Sequence, residues 1–415
     1  MNTLNRNSFL LLLILITSAI SLNAQTKVIK KPNLPKVENS ISEYISVDTI
    51  LSFIDEIPIN NSLINCTWKD ELVFTNFNIR KNSDTITIYR ITITTANIDT
   101  FYIYENGIRN TLKTNQCTAL NAIAYNGRQI VINLHNKIYI YELNNSQTPN
   151  KIAEQTIQKS FCDMDFLNDS TLVFIQNNHS SKPKTAIYLY NIPTKQITNE
   201  IFPRFNTTLL SYFKPAKYYD IKNNKILWAN RDTYSFSLFD ENLTKITTLS
   251  RIGDNWKSLS DKIKKKASKI KRTNAPEIIH CIEKEFGKTD QLRFAHIIDS
   301  NHIALVIRRA NENMVYIDVW QQDNNGWKEK YNKLYDDGFV FNPDKVIHRN
   351  NIPLGYLAGD DVHIFNNKAV SVTKRGTVKN PIGLEVRDYF LQKDNYLKTN
   401  DYFIQVIIYS HSLTD

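Results

Sequence analysis

The sequence predicts an all-β fold: a six-bladed β-propeller of four-stranded antiparallel blades, with a helical-hairpin insertion near residues 256–287. Three observations carry this. The first is the stretch from Phe161 to Ile197. Phe161–Leu167, Thr171–Gln176, Thr185–Tyr190 and Gln196-Ile197 are short runs rich in β-branched and aromatic residues. Turn residues such as Asn168-Asp169-Ser170 and Asn191-Ile192-Pro193-Thr194-Lys195 separate them. Such runs are consecutive antiparallel strands, and four of them in so short a span make one propeller blade. The second observation is recurrence. Units begin near Leu63, Thr118, Phe161, Ala216, Leu292 and Ile352, at spacings of 55, 43, 55, 76 and 60 residues. Their third strands align best, as Ile138-Tyr139-Ile140-Tyr141, Ile187-Tyr188-Leu189-Tyr190, Phe236-Ser237-Leu238-Phe239 and Val315-Tyr316-Ile317-Asp318. The third observation is a strand ahead of the first unit, Glu43–Val47 and its continuation through Ile54. An early strand of this kind completes the last blade and removes an exposed sheet edge.

In chain order, residues 1–24 read as an export signal. Arg6 supplies the positive start, Phe9–Ile16 opens the apolar core, and Leu22-Asn23-Ala24 ends on a small residue before Gln25. The apolar run falls short of the ~20 residues of a membrane span. The alternative is an uncleaved anchor. Cleavage near Ala24 implies a secreted or periplasmic protein. Residues 25–42, with Pro32, Pro35 and several lysines, read as a flexible leader, and 43–415 as the propeller domain. Glycine is scarce, at 10 residues, so asparagine is expected at many turns, since it tolerates positive φ.

The 76-residue spacing holds the insertion. Trp256, Leu259, Ile263, Ala267 and Ile270 follow a helical period, with Ser258 as a cap and Asp261 three residues on. A second helix is expected from the Asn274 cap to the Gly287 stop, with Ile278, Ile279, Ile282 and Phe286 on its apolar face.

Charge is concentrated in this insertion. The chain carries +10 overall, and Lys257 to Arg272 holds eight basic residues and one acid. The remainder is nearly neutral, which argues against a nucleic-acid partner. Lys262, Lys265, Lys266, Lys269 and Arg272 form a candidate patch for an anionic lipid, glycan or acidic protein. The simpler alternative is a solvated helix face, and a membrane surface ranks behind the other partners. Four cysteines, Cys66, Cys117, Cys162 and Cys281, allow three disulfide pairings or stand as buried thiols.

Six four-strand units behind an export signal resemble the exported six-bladed β-propellers of the TolB-like type, over about residues 43–415. The resemblance rests on the repeat pattern, without a diagnostic motif. It implies a ligand or partner held at a channel mouth and carries over no catalytic residue.

Catalytic signatures fail on inspection. His-Glu-x-x-His, Gly-x-Ser-x-Gly and Gly-x-Gly-x-x-Gly are absent. Gly287-Lys288-Thr289 ends like a phosphate loop, but Ile282 stands where its first glycine should be. Asp163 and Asp165, with Asn168 and Asp169, could bind calcium, but Leu167 and Asn168 break the loop pattern, so they read as a strand end and its turn. The most site-like run is Gly355–His363, where Asp360, Asp361 and His363 could do acid–base work or form an Asp-rich hairpin turn. His296 and His302 flank another strand–turn–strand. No metal and no cofactor is expected. The leading expectation is a non-catalytic scaffold binding a protein or glycan in the cell envelope. The alternative is a propeller hydrolase or lyase, with Asp163, Asp165, His296, Asp360, Asp361 and His363 converging at the channel mouth.

Overall fold

The structure, a computed structural model, describes residues 41–57, 63–76, 85–104, 120–134, 137–144, 146–157, 161, 163–176, 186–201, 219–230, 233–251, 256–258, 260–269, 289–309, 315–335, 348–349, 352–353, 361–375 and 402–415. Six four-stranded antiparallel sheets stand around one axis. Strand β1 is Ile45–Ile57. Blade 1 is β2 (Leu63–Trp68), β3 (Glu71–Asn76), β4 (Thr85–Thr92) and β5 (Asn97–Tyr104). Blade 2 is β6 (Leu120–Tyr125), β7 (Gln129–Leu134), β8 (Lys137–Glu142) and β9 (Asn150–Thr156). Blade 3 is β10 (Asp163–Asn168), β11 (Thr171–Gln176), β12 (Ala186–Asn191) and β13 (Gln196–Ile201). Blade 4 is β14 (Tyr219–Lys222), β15 (Lys225–Asn230), β16 (Ser235–Phe239) and β17 (Lys245–Ser250). Helix α1 (Asp261–Ser268) follows. Blade 5 is β18 (Gln291–Ile297), β19 (His302–Arg308), β20 (Val315–Asp323) and β21 (Gly326–Tyr335). A two-stranded ribbon, β22 (His348–Arg349) with β23 (Ile352–Pro353), precedes blade 6. That blade is β24 (Asp361–Ile364), β25 (Lys368–Arg375) and β26 (Tyr402–His411), with β1 as its outer strand.

The expected closure is present. Strand β1 pairs antiparallel with β26 from Ile45↔His411 to Ile57↔Tyr402, so the two ends of the chain lock one blade. The sixth blade begins at Asp361 rather than near Ile352. Ile352 belongs to the ribbon, because its partner is Arg349 and not a blade strand.

First strands of successive blades meet around the axis. The hydrophobic core fills the wedges between blades, because each sheet is apolar on both faces near the axis and must bury both. One cluster joins blades 1 and 2 through Val73, Ile88, Ile123 and Ile132. Another joins blades 6 and 1 through Leu51, Phe74, Val370 and Ile408. Outward, burial fades, and β13 is exposed along most of its length.

Turn chemistry follows the shortage of glycine. Asn223 and Asn224 both take positive φ, giving a two-residue hairpin between Lys222 and Lys225. Lys69, Ala96, Lys195 and Leu243 also adopt positive φ, so asparagine is one of several substitutes.

The insertion differs in detail from its sequence pattern. The helix starts at Asp261, and Ser260 rather than Ser258 caps it, accepting from Ile263 N–H at 3.4 Å. Trp256 lies ahead of the helix, packed edge-on to Tyr234 at 5.7 Å, with the Arg309 guanidinium 5.6 Å above its ring. The second expected helix, together with Arg272, lies outside the described residues. So do residues 1–40, Cys117, Cys162 and Cys281. Cys66 is buried.

Candidate functional site

The first strands carry the polar groups nearest the axis, and their register places these groups in one layer. Asp165 faces Val173, Asp220 faces Leu227, His296 faces Ala304 and His363 faces Val370. Each partner is the third residue of its blade's second strand. Cys66 and Ala124 hold the same position in blades 1 and 2. This layer is therefore polar in blades 3 to 6 and small and apolar in blades 1 and 2.

Two polar members of this layer, Asp220 and His363, join neighbouring blades. Asp220 accepts from Ile297 N–H of blade 5 at 2.7 Å. His363 Nε2 lies 2.6 Å from Asn65 Oδ1 in blade 1, and its Nδ1 lies 3.4 Å from Thr67 Oγ1, which closes the ring from blade 6 to blade 1. Asp165 is buried, and its Oδ1 accepts from the following Phe166 N–H at 2.9 Å. His296 is buried and stacks on Phe294, with ring centroids 5.9 Å apart. Asp163, further along β10, takes the hydroxyl of Tyr219 from blade 4. Asp361 opens β24; Asp360 lies outside the described residues. Among the described residues, no group of three His, Cys, Asp or Glu side chains stands close enough to hold a metal ion.

At the turn end of the first strands, the axis is occupied by a residue that the sequence pattern did not single out. Lys222 ends β14 and sends its ammonium toward the neighbouring blades. It donates to the carbonyls of Ile364 at 2.7 Å, Ile298 at 3.0 Å and Ile297 at 3.3 Å. The Phe365 ring lies 4.8 Å from the same nitrogen. Blade 4 is thus tied to blades 5 and 6 at one point. Burial pulls the Lys222 ammonium down to about 8, against the partial support of Asp220 and Asp299.

Around this plug lies a cavity of about 240 Å³, lined among others by Thr67, Trp68, Phe166, Lys222, Asn224 and His363. A second, more open hollow of about 450 Å³ shares Trp68 and Lys69 with it and adds Glu71, Asn126, Arg128 and Asp169. Trp68 thus lines both. Its indole lies edge-on to Phe166 at 6.3 Å and against Gly127, where an added Cβ would come within 3.3 Å of it. Gly127 has φ +88°, so the turn needs glycine for both reasons. Tyr125 donates to Glu71 at 2.7 Å and receives from Arg90 at 3.3 Å, which fixes the wall of the second hollow. Burial raises the Tyr125 phenol well above its ordinary value.

A second polar cluster joins blades 4 and 5 away from the axis. Tyr234 donates to Asp318 at 2.8 Å and accepts from Trp320 Nε1 at 2.9 Å. Arg251 pairs with Asp318 at 2.8 Å and with Glu329 at 2.5 Å, stacked 4.3 Å over the Tyr234 ring. Next to it, Asp290 accepts from Lys257 N–H at 2.8 Å and pairs with Arg309 at 3.1 Å, and its own N–H donates to Lys257 C=O at 2.8 Å. Residues 256–257 and 290 are thus fastened together at the foot of the insertion. Of the candidate lysines, Lys262, Lys265, Lys266 and Lys269 are all exposed.

No protein-family model matches the chain, and no curated protein matches it. Solved structures do. A Bacteroides fragilis protein inferred to be exported aligns over 91% of this chain and 97% of its own, with 9% identity and a TM-score of 0.51. A member of the DUF4221 family from Bacteroides vulgatus aligns over 89% of this chain and 99% of its own, with 10% identity and a TM-score of 0.48. At such identities the likeness is one of fold.

Proposed function

We propose that the chain is an exported, non-catalytic propeller that binds a protein or glycan partner in the cell envelope, related to the TolB-like propellers, and that the Trp68 hollows at the turn end of the channel receive the ligand. One observation carries this reading. Two members of the first-strand layer are engaged in joints between blades, Asp220 with Ile297 N–H and His363 with Asn65, and Lys222 plugs the axis between blades 4, 5 and 6. An acid–base pair needs a group free to reach a substrate, and these groups are committed to the ring. What the hollows offer instead is an indole wall with amide, carboxylate and guanidinium groups on the rim. That combination suits a polar ligand with one apolar face.

The test has two arms. Binding to an oligosaccharide and peptide array is compared for the protein and its Trp68→Ala variant. The reading expects at least one ligand class whose binding falls tenfold or more on losing the indole. In parallel, the protein is incubated with panels of glycosides and peptides. Turnover that disappears in Asp165→Asn or His363→Gln, with the fold intact, would replace this reading by the hydrolase one. Export is checked by N-terminal sequencing of the envelope-associated form, expected to begin at Gln25.

A further inference from the structure

Three of the four lysines of α1, together with Lys269 just after it, share one helical face; Lys264 falls off this row. Lys262, Lys265, Lys266 and Lys269 stand at positions i, i+3, i+4 and i+7, which is one face, and all four are exposed. The last lies in the turn that follows the helix, held by its N–H to Lys266 C=O at 3.2 Å. The row runs roughly 10 Å along the helix axis. The half-buried Ile263 falls off this row. We propose that this lysine row is a binding surface for an acidic polysaccharide, a partner that rests on the envelope location of the proposed function but on a site separate from the Trp68 hollows.

Two physical points support the choice. A helix of eight residues is marginal by itself, and like charges at i and i+4, as at Lys262/Lys266 and Lys265/Lys269, weaken it further. The helix macrodipole favours Lys265 and Lys266 near the C-terminal end but gives no reason for Lys262 in the first turn. The segment is nonetheless held in place, because Trp256, Lys257, Asp290 and Arg309 fasten its base to blades 4 and 5. A row of like charges presented by an anchored segment is a surface for a partner that supplies the opposite charge at repeated intervals.

The chemistry also selects among polyanions. Among the described side chains of α1, none is a large exposed apolar group that could enter a lipid interface, which such helices need for stable attachment. Nor does this row offer the aromatic anchors on which a protein interface is centred. A flexible chain with a carboxylate on each sugar requires neither.

The experiment uses the purified protein and three probes at 50 mM salt: polygalacturonate, a neutral dextran, and vesicles of zwitterionic lipid containing one-fifth anionic phospholipid. Polygalacturonate is expected to bind, and the dextran is not. The Lys262→Gln/Lys266→Gln/Lys269→Gln variant is expected to lose roughly tenfold in affinity and to show a weaker salt dependence. The corresponding triple arginine variant is expected to retain binding, and an unchanged thermal midpoint excludes loss of fold. Trp68→Ala is expected to bind the polymer normally, which separates this surface from the proposed ligand hollows. Absent polymer binding, an unaltered glutamine variant, or stronger binding to the vesicles would each overturn the proposal.

Discussion

Lys222 should give the protein an alkaline rise in stability. Its ammonium sits among three carbonyls and an aromatic ring near the axis, and burial lowers its pKa from 10.5 to about 8. The folded state therefore favours the neutral amine more than the unfolded chain does. Between pH 8 and 10.5 the unfolded chain holds more protons, so stability climbs with pH, by up to ~1.4 kcal/mol per unit. The penalty for the buried charge is fully present below pH 8 and gone above 10.5. Its total is at most about 3 kcal/mol for a shift of this size. Lys222→Met removes the titrating group. It also leaves the carbonyls of Ile297, Ile298 and Ile364 without their donor, at roughly 1–3 kcal/mol for an unsatisfied group. The two effects oppose each other, so the change at pH 7 alone is not diagnostic. The difference between protein and variant as pH rises is diagnostic, because the other lysines and tyrosines cancel in it. Urea unfolding followed by tryptophan fluorescence at pH 7 and 9.5 should show the protein gaining about 2 kcal/mol relative to the variant, with unchanged m-values. A difference that stays flat to within ~0.5 kcal/mol would refute a buried ammonium with a depressed pKa.

Three further outcomes follow from the joints between and within blades. Asp318→Asn should cost about 3 kcal/mol, read as a lower urea midpoint. It leaves Arg251 and Tyr234 beside a neutral amide, with Glu329 retained as a partial partner. Gly127→Ala should cost more than about 1 kcal/mol and shift the Trp68 emission, because it strains a positive φ and presses on the indole. His411 is buried, donates through Nε2 to Phe365 C=O at 2.7 Å, and burial holds its pKa below 6.5. Its stability contribution is constant above that pH and lost as pH falls below it. His411→Gln keeps a donor and cannot be protonated, so its urea midpoint should fall less than that of the protein between pH 6.5 and 5.

The blades were readable because a strand declares itself locally. Ile187-Tyr188-Leu189-Tyr190 or Gln129-Ile130-Val131-Ile132 cannot be soluble unless both faces find neighbours, and Asn223-Asn224 or Asn126-Gly127 turns the chain where the run ends. The candidate site was only partly readable. Asp163, Asp165, His296 and His363 lie on first strands, and Asp165, His296 and His363 share a layer with Asp220. The roles of Asp163 and His363 were not visible, since their partners Tyr219 and Asn65 lie on other blades. A lysine at the end of the short first strand Tyr219-Asp220-Ile221-Lys222 was the one available sign of the plug. Without the ring it looks like any strand-end lysine. The basic insertion declared its charge in the sequence, while the clamp at Asp290 and Arg309 that anchors it did not.

The repeat, the turns, the early closing strand and the place of the surplus charge were legible in the residues alone, since these depend on residues a few positions apart. Which polar groups face each other across blades came from the assembled ring: Lys222 with the carbonyls of blades 5 and 6, His363 with Asn65 nearly three hundred residues away. A propeller brings its first strands together around an axis only once all its blades are closed. The chemistry there is set by register between separate sheets, and no local pattern encodes that register.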